Sequence, residues 1–168
     1  MRLRDPKVLF MAQTAMISAI YVVVTLIFSY ISFGPMQLRF SEVLTILPFF
    51  TPAAIPGIFI GCLIANITGG AVLLDVIFGS LASLIAAILS YLLRKKSKYL
   101  VPVPPILVNA LIIPFVLRYG YGVALPIPLM MLTVGLGQVL ACGVLGLTLL
   151  KVLEKYRYII FPENETQD

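Results

Sequence analysis

Four ionisable side chains interrupt the long apolar middle of the chain: Arg39, Glu42, Asp75 and Arg118. All other residues from 8 to 93 and from 101 to 150 are apolar or neutral. A charge at membrane depth is costly, so it usually faces a polar cavity or a partner and marks a functional site. Two acids and two bases in this setting predict a small polar pocket inside a membrane protein.

The whole composition supports this interpretation. Of the 168 residues, 61% are hydrophobic and 11% are charged, and the mean hydropathy is +1.08. Soluble domains are about half apolar and about a quarter charged. The chain is therefore an integral membrane protein, and its length allows about six spans of roughly 20 residues each. No room remains for a soluble catalytic or nucleotide-binding domain.

The pattern predicts an all-α, six-helix bundle forming a single transmembrane domain over residues 1–158, with a polar tail at 159–168. The second and third segments are too short for a full span, which is tolerated where short helices line a cavity. Basic residues flank the first, fourth and sixth segments, so the positive-inside rule predicts cytoplasmic termini. The predicted helices are about 8–30, 40–50, 54–67, 72–93, 102–117 and 128–153.

This topology gathers polar side chains from five segments in the outer half of the bundle. It predicts a pocket open to the outside, built from Gln37, Arg39, Glu42, Asn66, Asp75, Asn109, Arg118 and Gln138. Purely structural roles stay open for single residues. Arg39 can pair with Glu42 at i, i+3, Arg118 can reach the interface as a lipid-facing arginine, and amides can form interhelical hydrogen bonds.

Several chemistries are excluded by what the sequence lacks. It has no histidine, no GxxxxGK[ST] phosphate loop and no metal-ligand spacing, and its two cysteines lie in apolar segments. No nucleophile has a base partner. The sequence thus predicts a protein that is not an enzyme and that binds no cofactor, metal or nucleic acid. Binding or transport of a solute remains, in the lipid bilayer and without ATP hydrolysis by this chain itself.

Four stretches resemble the QueT family, the queuosine-precursor transporters that serve as substrate-binding S components of energy-coupling factor (ECF) transporters. The specific one is Gly34–Gly70, GPMQLRFSEVLTILPFFTPAAIPGIFIGCLIANITGG; the others are LLDVIFGSLASLIAA, PPILVNALIIP and GLGQVLACGVLG. The resemblance implies a bacterial plasma-membrane protein. It would capture solute from outside and join a transmembrane coupling protein and two cytoplasmic ATPases. The small-residue stripe Ala12, Ala15 and Ala19 would then form part of the docking face.

The implied solute is queuosine or a 7-deazaguanine precursor. Such a ring offers two adjacent N–H donors, which one carboxylate of Glu42 or Asp75 can accept together. Asn109, Gln138 or Arg39 can donate to the ring oxygen, and the second acid can meet a cationic amine. Phe33, Tyr119 or Tyr121 can stack on the ring. An S component for another vitamin, a stand-alone secondary transporter and a structural subunit without ligand are the alternatives.

Overall fold

A computed structural model describes residues 5–32 and 39–160, and every regular element there is helical. Six main helices confirm the predicted all-α fold; the orientation of the termini stays a prediction. We label the five long helices α1 to α5 and refer to the remaining one as the 3₁₀ helix. In chain order they are α1 Pro6–Ile27, the 3₁₀ helix Phe40–Phe49, α2 Ala54–Thr68, α3 Asp75–Leu93, α4 Val103–Tyr119 and α5 Ile127–Lys155.

Four helical stretches are long and apolar enough to cross a membrane: α1, α3, α5 and α4 with the short turn Lys98–Leu100 before it. The 15 residues of α2 reach about 22 Å, and the 10 residues of the 3₁₀ helix about 20 Å. Neither length matches a hydrocarbon core of about 30 Å. The two shorter helices are therefore too short to span it alone, as the sequence predicts.

The 3₁₀ helix is the central element of the bundle. It packs against α1, α2, α3 and α5. Three residues per turn bring residues i and i+3 to the same face, so Glu42 and Thr45 both point inward and are buried. The hydroxyl of Thr45 donates to the backbone oxygen of Glu42 at 2.6 Å. This local bond fixes the backbone beside the acid.

Close packing of α1 on α2 depends on two glycines. A Cβ on Gly61 would lie 2.8 Å from Cβ of Tyr21, and one on Gly57 would lie 3.0 Å from Ile17. Between them, the Ser18 hydroxyl donates to the backbone oxygen of Gly57 at 2.8 Å. The GxxxG pattern thus lets the two backbones approach, as such motifs do in membranes. This contact covers one face of α1.

Two π-helical stretches interrupt the regular helices, Asp75–Gly79 at the start of α3 and Val139–Leu145 within α5. Such π turns occur often at functional sites, because the extra residue re-aims side chains. Asp75 opens the first stretch, and Gln138 directly precedes the second. Both side chains point into the bundle and are buried.

Candidate functional site

The site is built around an ion pair between Arg39 and Asp75. Nη2 of Arg39 lies 2.6 Å from Oδ2 of Asp75, and the two side chains are 5% and 0% exposed. Arg39 directly precedes the 3₁₀ helix, whereas Asp75 begins α3, so the pair joins elements 36 residues apart. The partner of Arg39 is therefore Asp75, across the bundle, and no salt bridge within residues 5–32 and 39–160 joins Arg39 to Glu42.

Asp75 is held by further contacts. The Tyr121 hydroxyl, from the connection between α4 and α5, donates to Oδ2 at 2.9 Å. Burial, followed by the nearby Asp75 carboxylate, raises the pKa of Tyr121 to about 12, so the phenol keeps the proton that it donates. The Asn66 amide donates to the backbone oxygen of Asp75 at 3.1 Å. A Cβ on Gly79 would collide with Oδ1 of Asp75, so only glycine leaves this carboxylate in place.

Glu42 lies deeper and has different partners. The Tyr21 hydroxyl donates to Oε1 at 2.7 Å, and the Asn109 amide donates to Oε2 at 3.4 Å. The residue is only 1% exposed. Across the described part of the chain, Glu42 forms no salt bridge. It is a buried acid whose contacts come from neutral donors.

Both cysteines pack at the edges of this cluster. The sulfur of Cys62 lies 3.7 Å from Nη1 of Arg39 and 3.5 Å from the Ser83 hydroxyl. The Cys142 thiol lies 3.1 Å from Oε1 of Gln138. Both cysteines are buried and unbridged. No group of three His, Cys, Asp or Glu side chains that could hold a metal ion occurs among the residues described.

A small cavity of about 10 Å³ lies among the polar side chains. This is roughly the space of one water molecule. The structure thus differs from the open pocket that the sequence predicts, because the burial of Arg39, Glu42 and Asp75 closes the cluster from the outside. A ring-sized solute needs the lining side chains to move apart. They are Arg39, Glu42, Asn109, Ile113, Val134 and Gln138.

The structure brings most of the predicted site residues together, but not all. Arg39, Glu42, Asn66, Asp75, Asn109 and Gln138 are all buried in the cluster. Arg118 is exposed and donates to the backbone oxygen of Val123 at 3.2 Å. Tyr119 is 71% exposed. Both lie on the outward side of α4, which turns their side chains away from the cluster. Phe33 and Gln37 lie outside the described residues.

Sequence reasoning missed Tyr21, which touches Glu42 directly. The signal was present in α1 as a stripe of polar residues with helical spacing: Thr14, Ser18, Tyr21 and Thr25. The Thr25 hydroxyl donates to the Ser41 hydroxyl at 2.7 Å, next to Glu42. Residues three and four apart share one helix face, so this stripe indicates the inward side of α1.

A neighbouring face of α1 is uncovered. Ala12, Ala15 and Ala19 are all exposed there. Ala15 and Ala19 line an apolar groove of about 690 Å³ between α1 and α2. Its other walls are Phe10, Met11, Thr14, Ser18, Val22, Val23, Pro56, Ile60 and Ile64.

Membrane-length apolar helices around a buried polar cluster define a multi-pass membrane protein. The model of the QueT transporter family matches residues 11–155, and the chain belongs to this family. It is a family of transporters, not of enzymes. The queuosine precursor transporter QueT of Lactococcus lactis subsp. cremoris (strain MG1363) is 38% identical over 86 residues. That match spans about half of each protein, 50% of this chain and 50% of the relative. No solved structure matches the chain.

Proposed function

We propose that this protein is the substrate-binding S component of an ECF transporter that imports queuosine or a 7-deazaguanine precursor. The observation that carries the proposal is the buried cluster of Glu42, Arg39, Asp75 and three amides inside a chain of the QueT transporter family. The similar protein from Lactococcus lactis is named for queuosine precursors. The cluster offers the hydrogen-bonding groups that such a ring requires.

The recognition chemistry follows from the groups that surround the cavity. A carboxylate accepts the two adjacent N–H donors of a deazaguanine, and an amide or guanidinium donates to its ring oxygen. Asn109, Gln138 and Arg39 line one cavity with Glu42 and supply the donors. The ring-accepting carboxylate is that of Asp75 or Glu42, and the other acid can meet a substituent. Ile113 and Val134 add apolar walls. Binding needs these side chains to separate, because the present cavity is far smaller than the ring.

The proposed orientation puts both termini in the cytoplasm of a bacterial cell, with the cluster toward the outside. Support comes from the opposite end of the bundle. Lys98, before α4, pairs with Glu154 near the end of α5 at 2.9 Å, and Arg94 at the end of α3 lies 3.5 Å from the backbone oxygen of Phe49. Basic residues therefore gather at one end, as cytoplasmic ends do.

The coupling partners are proposed on the uncovered side of α1. A transmembrane coupling protein would pack on Ala12, Ala15 and Ala19, since small residues allow helices to approach closely in lipid. Two cytoplasmic ATPases would supply the energy through that protein. The exposure of the stripe and its apolar groove support this assignment.

Calorimetric titration of the detergent-purified protein tests the proposal. The panel holds queuine, 7-aminomethyl-7-deazaguanine, queuosine, guanine and riboflavin. We expect tight binding of at least one deazaguanine and none of riboflavin, with strong loss in Glu42→Gln and Asp75→Asn. Arg118→Gln, at an exposed arginine outside the cluster, is the matched control and keeps affinity. Folded protein that binds no deazaguanine, or both acid variants binding like wild type, would contradict the proposal.

A further inference from the structure

The polar cluster does not balance its own charges. It contains one positive side chain, Arg39, and two negative ones, Asp75 and Glu42. Arg39 and Asp75 neutralise each other across 2.6 Å. Glu42 is the third ionisable group, so the cluster carries a formal net charge of −1 when all three are ionised. A buried ion without a partner is expensive, so a cationic complement favours the ionised form of Glu42.

Nothing else around Glu42 supplies that complement in the described structure. Its hydrogen-bond donors, Tyr21 and Asn109, are neutral. Of the remaining cavity walls, Ile113 and Val134 are apolar and Gln138 is an amide. The other basic side chains described, such as the exposed Arg118, lie elsewhere in the bundle. Glu42 is nevertheless 1% exposed and lines the cavity, so a ligand there meets its carboxylate away from water.

We infer that Glu42 is a specificity-determining residue, whose charge makes the site select a singly cationic ligand over a neutral one with the same ring. The inference rests on the proposed function, and names the class of solute as a cationic heteroaromatic amine. An ammonium group entering the cavity neutralises the cluster and gains a charge-assisted hydrogen bond. A neutral ligand of equal shape leaves the buried charge uncompensated.

Two 7-deazaguanines that differ in one substituent provide the test. The 7-aminomethyl compound is a cation at neutral pH, whereas the 7-cyano compound is neutral and has the same ring. Calorimetry on wild-type protein is expected to show about 10- to 100-fold tighter binding of the aminomethyl compound, the range of a charged hydrogen bond. In Glu42→Gln the ratio falls to near one, mainly by loss of affinity for the cation. Glu154→Gln, an acid at the opposite end of the bundle, keeps the wild-type ratio.

Each contrary result has a distinct meaning. Wild-type protein that binds both compounds equally overturns the inference and leaves the proposed function standing. Folded protein that binds neither contradicts the proposed function itself. If Glu42→Gln weakens both compounds by the same factor, Glu42 contacts the ring edge, and the charge-selection role is wrong.

A second readout covers the case in which a variant is less stable. Glutamine offers one acceptor oxygen to the two donors Tyr21 and Asn109, so a lower thermal midpoint of unliganded Glu42→Gln reflects a lost hydrogen bond and not charge selection. The two compounds are therefore also compared by the rise in thermal midpoint that each gives on the same protein. Wild-type protein should show the larger rise with the aminomethyl compound and Glu42→Gln an equal rise with both; a larger rise with the aminomethyl compound in Glu42→Gln would overturn the inference.

Discussion

The phenol of Tyr21 donates a 2.7 Å hydrogen bond to Oε1 of Glu42, and this contact joins α1 to the central 3₁₀ helix. The tyrosine is 1% exposed and belongs to the same face of α1 as Ser18 and Thr25. A neutral side chain from the first helix thus holds the acid that we assign to charge selection. The bond ties the position of α1 to the geometry of the site.

Removal of this hydrogen bond is expected to destabilise the protein. Tyr21→Phe keeps the ring and leaves an oxygen of Glu42 without its donor, which costs about 1–3 kcal/mol in the free energy of unfolding. Chemical unfolding in detergent micelles measures the change. Tyr119→Phe is the matched control, since that tyrosine is 71% exposed and should change little. Equal stabilities of the two variants would refute a role for the Tyr21 hydroxyl.

The buried ion pair is expected to behave differently from the pair at the other end of the bundle. Arg39→Met or Asp75→Leu alone leaves one buried charge unpaired and should cost about 3–5 kcal/mol, whereas the double variant should recover much of this loss. All three variants should lose ligand binding. Lys98→Met is the control, because its pair with Glu154 is about one-third exposed and such pairs contribute about 0–1 kcal/mol. A double-mutant cycle of unfolding free energies checks this. If the losses of the two single variants simply add in the double variant, Arg39 and Asp75 do not stabilise each other.

Gly79 is expected to tolerate no side chain. In Gly79→Ala, the new Cβ would meet Oδ1 of Asp75 and push the carboxylate away from Arg39. Ligand affinity should fall at least about tenfold, the loss that corresponds to one hydrogen bond to a charged group. Gly143→Ala is a suitable control in the other π-helical stretch, since its Cβ would find its nearest neighbour at 3.8 Å. Calorimetry measures the ligand affinity of both variants. If Gly79→Ala binds the ligand like wild type, the position of the Asp75 carboxylate is not needed for binding.

The alanine stripe is expected to affect assembly and not solute binding. Ala15→Trp fills part of the groove beside α2, so co-purification with the coupling protein should fail while calorimetric affinity for the solute is kept. Leu107→Trp, at a 55% exposed position on α4, should assemble normally. Loss of solute binding in Ala15→Trp, or normal assembly, would contradict docking at this face.

Much of the site could be predicted because a charge at membrane depth is rare and costly. Glu42, Asp75 and Arg39 stand out in the sequence for that reason, and hydropathy fixes the order of the helices around them. The pairing could not be predicted, since the sequence places Arg39 beside Glu42 and the structure pairs it with Asp75. Which residues meet across a bundle depends on helix rotation, which a single sequence leaves open.

Helix rotation also accounts for the residues assigned to the wrong side. Arg118 and Tyr119 end α4 at a suitable depth, but the rotation of this helix exposes both. Tyr21 is hard to recognise because a tyrosine in an apolar helix also suits the membrane interface. Only its register with Thr14, Ser18 and Thr25 distinguishes the inward side. Nor does composition reveal that the polar groups close on a cavity of about 10 Å³.

One helix carries both the contact to the solute site and the surface proposed for the partner. Tyr21 reaches Glu42 from the buried face of α1, while the exposed Ala15 and Ala19 line the groove beside α2, within two turns of Tyr21. If solute shifts α1, then thermodynamic linkage makes the effect mutual: the factor by which solute changes partner affinity equals the factor by which the partner changes solute affinity. A partner that prefers the empty position of α1 would therefore weaken solute binding merely by binding, and bound solute would hold that partner off by the same factor.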